Sequence, residues 1–296
     1  MKKSVVCVWT TQYHPLHRPN IDIGLGFGDM IRGALGLFEY CREKKYDFYL
    51  DIQLHPISSI LDMPPSPFAE IAKRNEDGIK FIQDASREIE QSSDEFILMA
   101  TNFCPYENFS HEAKQFMLKV LTPRKWVSDL FESKLALLKL QQYNIMHLRC
   151  GDNEFLGIKN NWKRFVARQV ALYNYEKGDL LLSDSDRLKN DLSKKANFNV
   201  LDGSAVHLAR GFDSAALLDT MTEFYAISKA SKIKTYSRYS HTSGFVYFPG
   251  IIYGIPLELM KMPIQIRILD IVYNLIVLYS DNIFKLFKRY SFAAKA

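Results

Sequence analysis

The hexapeptide His147-Leu148-Arg149-Cys150-Gly151-Asp152 ends a mostly apolar run, Tyr143–Met146. Residues two apart on a strand share a face, so His147 and Arg149 point the same way at the strand's carboxyl end. Gly151 permits a turn there, and Asp152 can hold the arginine or cap the next element. A guanidinium fixed in that place can grip a phosphate through two parallel hydrogen bonds. It can also offset negative charge that builds on a departing phosphate. The plain alternative is an Arg149–Asp152 ion pair at the surface, which contributes little.

Two further stretches carry compatible chemistry. Gly24-Leu25-Gly26-Phe27-Gly28-Asp29 runs into a helical pattern. Its glycines permit close backbone approach, Asp29 can cap the helix, and a glycine loop at a helix N-terminus can cradle an anion. The third runs from Ser183 to Phe245. It opens with Asp184-Ser185-Asp186 after an apolar run and closes with hydroxyls at Ser237, Ser240, Thr242 and Ser243. Hydroxyls beside a helix N-terminus can donate to phosphate, and an ordinary Ser/Thr-rich turn has the same composition.

The elements that must position these residues alternate along the chain. Apolar runs at 5–9, 46–50, 96–100, 143–148, 179–183 and 198–201 read as strands, with a short one at 233–236. Their continuous apolarity suits parallel strands covered on both faces. Met30–Lys44, Pro123–Gln142 and Leu217–Ser231 read as helices between them. In the second, Pro123 suits the start, and Trp126, Leu130, Leu135, Leu137 and Leu138 give an apolar face. Ile52–Phe68 reads as an irregular excursion, and Ser86–Glu95 as a solvated helix or loop. Strand–helix alternation predicts an α/β fold, in which ligands bind beyond the carboxyl ends of the strands.

Composition bounds the function. The chain has 296 residues, 47% hydrophobic and 24% charged, enough for one large domain or two compact ones. Its net charge of +5, from 38 basic and 33 acidic residues, fits an anionic ligand and gives no argument for nucleic acid. Cys7, Cys41, Cys104 and Cys150 form no CxxC pair, so they read as reduced thiols rather than a disulfide frame or zinc site. The apolar stretch Val5–Trp9 is short for a secretory signal, and no segment has the length of a membrane span. A cytoplasmic location is the expectation.

In order, the three stretches resemble the fucosyltransferase-like superfamily of GDP-sugar glycosyltransferases, which includes α1,2-, α1,6- and protein O-fucosyltransferases. Gly26-Phe27-Gly28-Asp29 is similar to a GxGN-type segment, with Asp for Asn. His147–Asp152 is similar to an HxRxGD segment, with Cys150 where a second arginine is often found. Glu223–Ile233 is similar to a late D-L-Y-x-L-S-x-C-D-x-I segment, with Glu223 for Asp and Ala230 for Cys. The resemblance spans Gly24 to Pro256. It implies a GT-B fold: two facing Rossmann-like domains, residues 1–142 on the acceptor side and 143–260 on the nucleotide-sugar side, with 261–296 a helical tail.

It further implies inverting, metal-independent transfer of fucose from a GDP donor to a glycan or lipid-linked oligosaccharide, with no cofactor. Arg149 would bind the β-phosphate, supported by His147. Gly26, Gly28, Asp152, Asp184 and Glu223 would lie at the donor. Ser237, Ser240 and Ser243 would face the pyrophosphate. The acceptor hydroxyl needs a general base, for which Asp29 and Glu154 are candidates.

Three other readings stay open on sequence. Asp184-Ser185-Asp186 has the form of a DxD motif, whose carboxylates would hold Mn²⁺ or Mg²⁺ against a nucleotide-sugar. The substitutions at Asp29, Cys150 and Glu223 would fit a sugar- or nucleotide-binding protein without catalysis. A dinucleotide reading uses Asp51 as the ribose-binding acid, but Thr10–Ile23 separates the strand from the glycines. The tail, Ile264–Tyr290, is amphipathic. Ile268, Leu269, Val272, Leu275, Ile276, Leu278 and Tyr279 are apolar, and Lys285, Lys288 and Arg289 are basic. It can lie on an anionic membrane or pack on the body of the protein.

Overall fold

A computed structural model describes residues 2–11, 25–76, 79–151, 161–203, 214–239 and 241–277. Two parallel sheets organise them. In the first, β1 (Ser4–Val8) lies between β2 (Asp47–Asp51) and β3 (Phe96–Met99). The second is built from β4 (Ile145–Arg149), β5 (Leu180–Ser183), β6 (Asn199–Val200), β7 (Ile233–Ser237) and β8 (Leu257–Leu259). Its spatial order is β6-β5-β4-β7-β8, which puts β4 at the centre. Every named strand pair is parallel. The apolar runs expected as strands are therefore strands, and β1, β4 and β5 are buried along nearly their whole length, as their lack of alternation requires.

Helices fill the connections. α1 (Phe27–Lys44) joins β1 to β2, and α2 (Ala69–Arg74) and α3 (Ala85–Gln91) lie between β2 and β3. α4 (His111–Val120) and α5 (Lys125–Leu138) lead to β4. α6 (Asn161–Asn174), α7 (Asp186–Ala196), α8 (Ser214–Ser228) and α9 (Gly244–Tyr253) follow in the second sheet. The last described helix, α10, spans 264–277.

The helix expected from Pro123 to Gln142 needs correction. α5 is shorter than the pattern from Pro123 to Gln142, because Lys139 adopts φ +54° and closes the helix. Pro123 lies outside it, bridged to Leu61. Its buried face is Val127, Phe131 and Leu135, while Trp126 and Leu137 face outward. The irregular stretch after β2 holds only a short 3-10 helix, Pro56–Ser59, as its Pro and Ser content foretold.

One apolar cluster joins the two sheets. It runs from Val5 and Cys7 of β1 through Met30 and Leu35 of α1 and Phe224 of α8 to Ile145, Leu180 and Ile233. α9 is the bridge: it belongs by sequence to the second sheet, yet packs on α1 and α4 beside the first. Cys7, Cys41, Cys104 and Cys150 form no disulfide.

Candidate functional site

The sheets meet over a cleft of about 620 Å³. Its floor is the carboxyl end of β4. His147 and Arg149 both line it, as the two-residue period requires. Gly151 has φ +115°, a conformation that side-chain-bearing residues rarely adopt, so the turn after the arginine depends on glycine.

Arg149 is held by Asp184, whose Oδ2 lies 3.4 Å from its Nε. The same carboxylate accepts the N–H of Cys150 at 2.7 Å and of Gly151 at 2.9 Å. Parallel pairing explains the choice of partner. Leu148 stands opposite Ser183, so the residues just past each strand end meet. Asp152, the partner expected from sequence, lies outside the described residues. On the other side, the guanidinium carbon sits 5.9 Å from the centre of the Tyr239 ring, which stacks on His241 at 5.5 Å. An arginine held this way presents its fork with little freedom left to lose.

His147 is buried, with Nδ1 3.2 Å from the Thr235 hydroxyl. Burial, aided by the Arg149 charge, pushes its pKa down to about 3. It is a neutral imidazole at ordinary pH, and acts as a hydrogen-bonding group rather than a second cation.

Above this floor, two helices begin at the cleft. The N-cap residues are Gly26 for α1 and Ser243 for α9, and among the described residues neither helix start has a side-chain cap hydrogen bond. The first N–H groups of a helix find no carbonyl ahead of them and carry its positive end. The two starts touch. A Cβ at Gly28 would stand 2.6 Å from the carbonyl carbon of Gly244 and 2.8 Å from its Cα. Phe27, the first residue of α1, is wedged edge-on against Phe224 of α8 at 4.7 Å and Trp9 at 5.9 Å. Such aromatic pairs contribute about 0.5–1.5 kcal/mol each beyond their burial.

Asp29 lines the cleft from the first turn of α1, not from its cap as expected: the N-cap is Gly26. Burial raises its pKa, against the lowering pull of Arg32, a side-chain hydrogen bond with Asn102, and the charges of Arg149 and His241. Glu223 also lines the cleft and pairs with Lys189 at 2.9 Å. Burial pushes that carboxyl up as Lys189 pulls it down.

The expected site residues thus divide. Gly26, Gly28, Asp29, His147, Arg149, Asp184, Glu223 and Ser243 share the cleft. Ser237 is not among its lining residues; its hydroxyl accepts the N–H of Tyr239 in its own turn. Glu154 and Ser240, like Asp152, lie outside the described residues. In the DxD-like triplet, Ser185 caps α7 by accepting from Leu188 N–H, and Asp186 pairs with Lys189 at 3.1 Å. Asp51, the dinucleotide candidate, is buried under its own loop, accepting from Gln53 N–H and the Ser66 hydroxyl.

Sequence reasoning missed Arg32, Tyr239 and His241, all of which line the cleft. Arg32 had a signal: it follows Asp29 by three residues on the same helix face. Tyr239 and His241 sit among the hydroxyls that drew attention first.

No family model matches the chain, and no curated protein matches its sequence. Its fold, however, has solved counterparts. The fucosyltransferase NodZ from Bradyrhizobium superposes with a TM-score of 0.52 at 11% identity, over 85% of this chain and 92% of that one. NodZ α-1,6-fucosyltransferase co-crystallised with GDP gives 0.50 at 10% identity, over 85% and 93%. At such identity the likeness is one of fold, and the fold is the α/β GT-B type that the motif order implied.

Proposed function

We propose that this chain is a glycosyltransferase that moves a sugar, fucose by the motif resemblance, from a GDP donor to a glycan or lipid-linked oligosaccharide acceptor. The observation that carries this reading is the convergence of Arg149 and two uncapped helix starts on one cleft. A nucleoside diphosphate leaving group is what such an arrangement suits. Breaking the glycosyl–phosphate bond puts a new negative charge on the β-phosphate, and preorganised donors in a dry cleft stabilise it. The shared fold with a fucosyltransferase co-crystallised with GDP supports the same reading.

The residues then take definite roles. Arg149 grips the β-phosphate, and Asp184 and Tyr239 hold it in place. His147 supports it as an uncharged group. The N–H groups at the starts of α1 and α9 face the pyrophosphate. Asp29, with its raised pKa, receives the proton of the acceptor hydroxyl as the sugar inverts. Residues 1–142 serve the acceptor and 143–260 the donor.

The transfer is proposed to need no metal. Asp184 is engaged by Arg149 and two backbone N–H groups, and Asp186 by Lys189, so each carboxylate of the DxD-like triplet already has a cationic partner within the protein. The test is donor hydrolysis or transfer in excess EDTA, with GDP-fucose beside UDP-sugars. Turnover of GDP-fucose that survives chelation is expected. Turnover restored only by Mn²⁺, or a preference for UDP-sugars, would overturn the assignment.

A further inference from the structure

Among the described residues α10 is anchored along one side. Asp270 accepts from Trp162 Nε1 at 2.8 Å and from Arg238 Nη1 at 2.6 Å, and Tyr273 stacks on Trp162 at 4.6 Å. Spacings of four, three and four residues put Ile264, Ile268, Ile271 and Leu275 on the opposite side. They are 67%, 56%, 53% and 49% exposed, with Val272 and Ile276 flanking them in the open. Water therefore meets an apolar ridge three turns long. It continues onto α6, where Phe165, Leu172 and Tyr173 are exposed and Tyr173 shares a groove with Ile264, Lys261 and Arg267. Contiguous exposed apolar area on this scale marks a contact surface.

Charge selects the occupant. The sequence after α10, 278–296, interleaves Ile283, Phe284, Leu286 and Phe287 with Lys285, Lys288, Arg289 and Lys295, against the single acid Asp281. A second copy of the chain would bring two such basic segments together. An anionic lipid surface would attract them and also solvate the apolar ridge. Among the described residues no helix is long and apolar enough to cross a membrane. A helix with one apolar side, followed by basic sequence, instead suits the plane of the lipid interface.

We propose that the exposed ridge of α10, with Lys261 and Arg267 beside it, is a peripheral membrane-binding surface for anionic phospholipid, and that the basic residues that follow in sequence add to its attraction. The apolar ridge enters the headgroup boundary, and the basic residues supply the lipid selectivity.

Flotation of the full chain with vesicles tests this independently of any sugar donor. The chain is expected to float with vesicles of phosphatidylcholine mixed with phosphatidylglycerol, and to stay behind with phosphatidylcholine alone. Rising salt should weaken the binding. Replacing Lys285, Lys288 and Arg289 together by Ser should lower partitioning on the order of a hundredfold. The double variant Ile268→Glu/Leu275→Glu should lose at least about tenfold with its thermal melt unchanged, since both side chains already face water. A wild-type chain that ignores both vesicle types would overturn the proposal, as would a double variant that floats as well as wild type. A lipid-free dimer that the double variant dissolves, without flotation of either, would replace it with self-association.

Discussion

Arg149 is fixed from both sides before any ligand arrives, by the Asp184 carboxylate and by the Tyr239 ring. Its replacement by lysine keeps one charge and loses the fork, so turnover should fall about tenfold or more with the fold intact. Arg149→Ala should fall on the order of a hundred- to a thousandfold, as for loss of one strong transition-state donor, and chiefly in kcat. An Arg149→Ala enzyme with near wild-type turnover would remove the central claim. Asp29 gives a second expectation with a definite sign. Its pKa is raised, so the carboxyl stays protonated to a higher pH than an exposed aspartate. A base must be ionised to act, so kcat should rise with pH along a limb lying above the usual aspartate range. Asp29→Asn should remove turnover and that limb while GDP still binds; an unchanged acid limb in the variant would reassign the base. His147, held neutral, should add no limb of its own near neutrality. At this scale the sequence revealed which residues face the cleft through the two-residue strand period. It could not reveal that Asp184 holds the arginine, because that pairing is made by strand register across some 35 positions of chain.

Among the elements, the junction of α1 and α9 decides the shape of the site. The glycines of the first motif read as a loop for an anion. In the structure Gly28 lets two helix starts come into backbone contact, and Gly33 and Gly36 let α1 lie against the chain after β3. A Cβ at Gly28 would meet Gly244 backbone, not a side chain that can swing away. Gly28→Ala should therefore push the two helix starts apart. The expected cost is about 1–3 kcal/mol of stability, with a matching loss of nucleotide affinity seen by calorimetry. Full stability and affinity in that variant would show that the close approach is not needed. α9 itself was not legible as a helix. Its sequence carries Gly244, Gly250 and an internal Pro249, residues of poor helix propensity. Burial of Val246, Phe248 and Ile252 against α1 and α4 overrides that preference, and such packing cannot be read from a local window. The strands were legible because continuous apolarity is a local signal, except β8, which is only three residues long and follows Pro256.

At the scale of the molecule, the apolar cluster and the cleft join the same two sheets, so ligand binding and unfolding are coupled. The cluster carries side chains of β1 and α1 together with those of β4, β5, β7 and α8. Phe27 at the start of α1 meets Phe224 on α8 at 4.7 Å, directly beside the cleft. Thermal unfolding should thus be one cooperative transition rather than two. A nucleotide that binds only the folded cleft stabilises by mass action, about 2.7 kcal/mol at a hundred times its Kd. For a chain of this size that corresponds to a Tm rise of about 5 °C. GDP should give this rise in calorimetry, and UDP at the same concentration a smaller one. Arg149→Ala should lower the unliganded Tm, because the buried Asp184 carboxylate keeps its two backbone N–H donors and loses its cation, and should lose most of the GDP-dependent rise. Two separate transitions, only one of which moves with GDP, would show that the sheets unfold independently and that the shared core does not couple them. A single transition that GDP leaves in place would show that the cleft does not hold GDP.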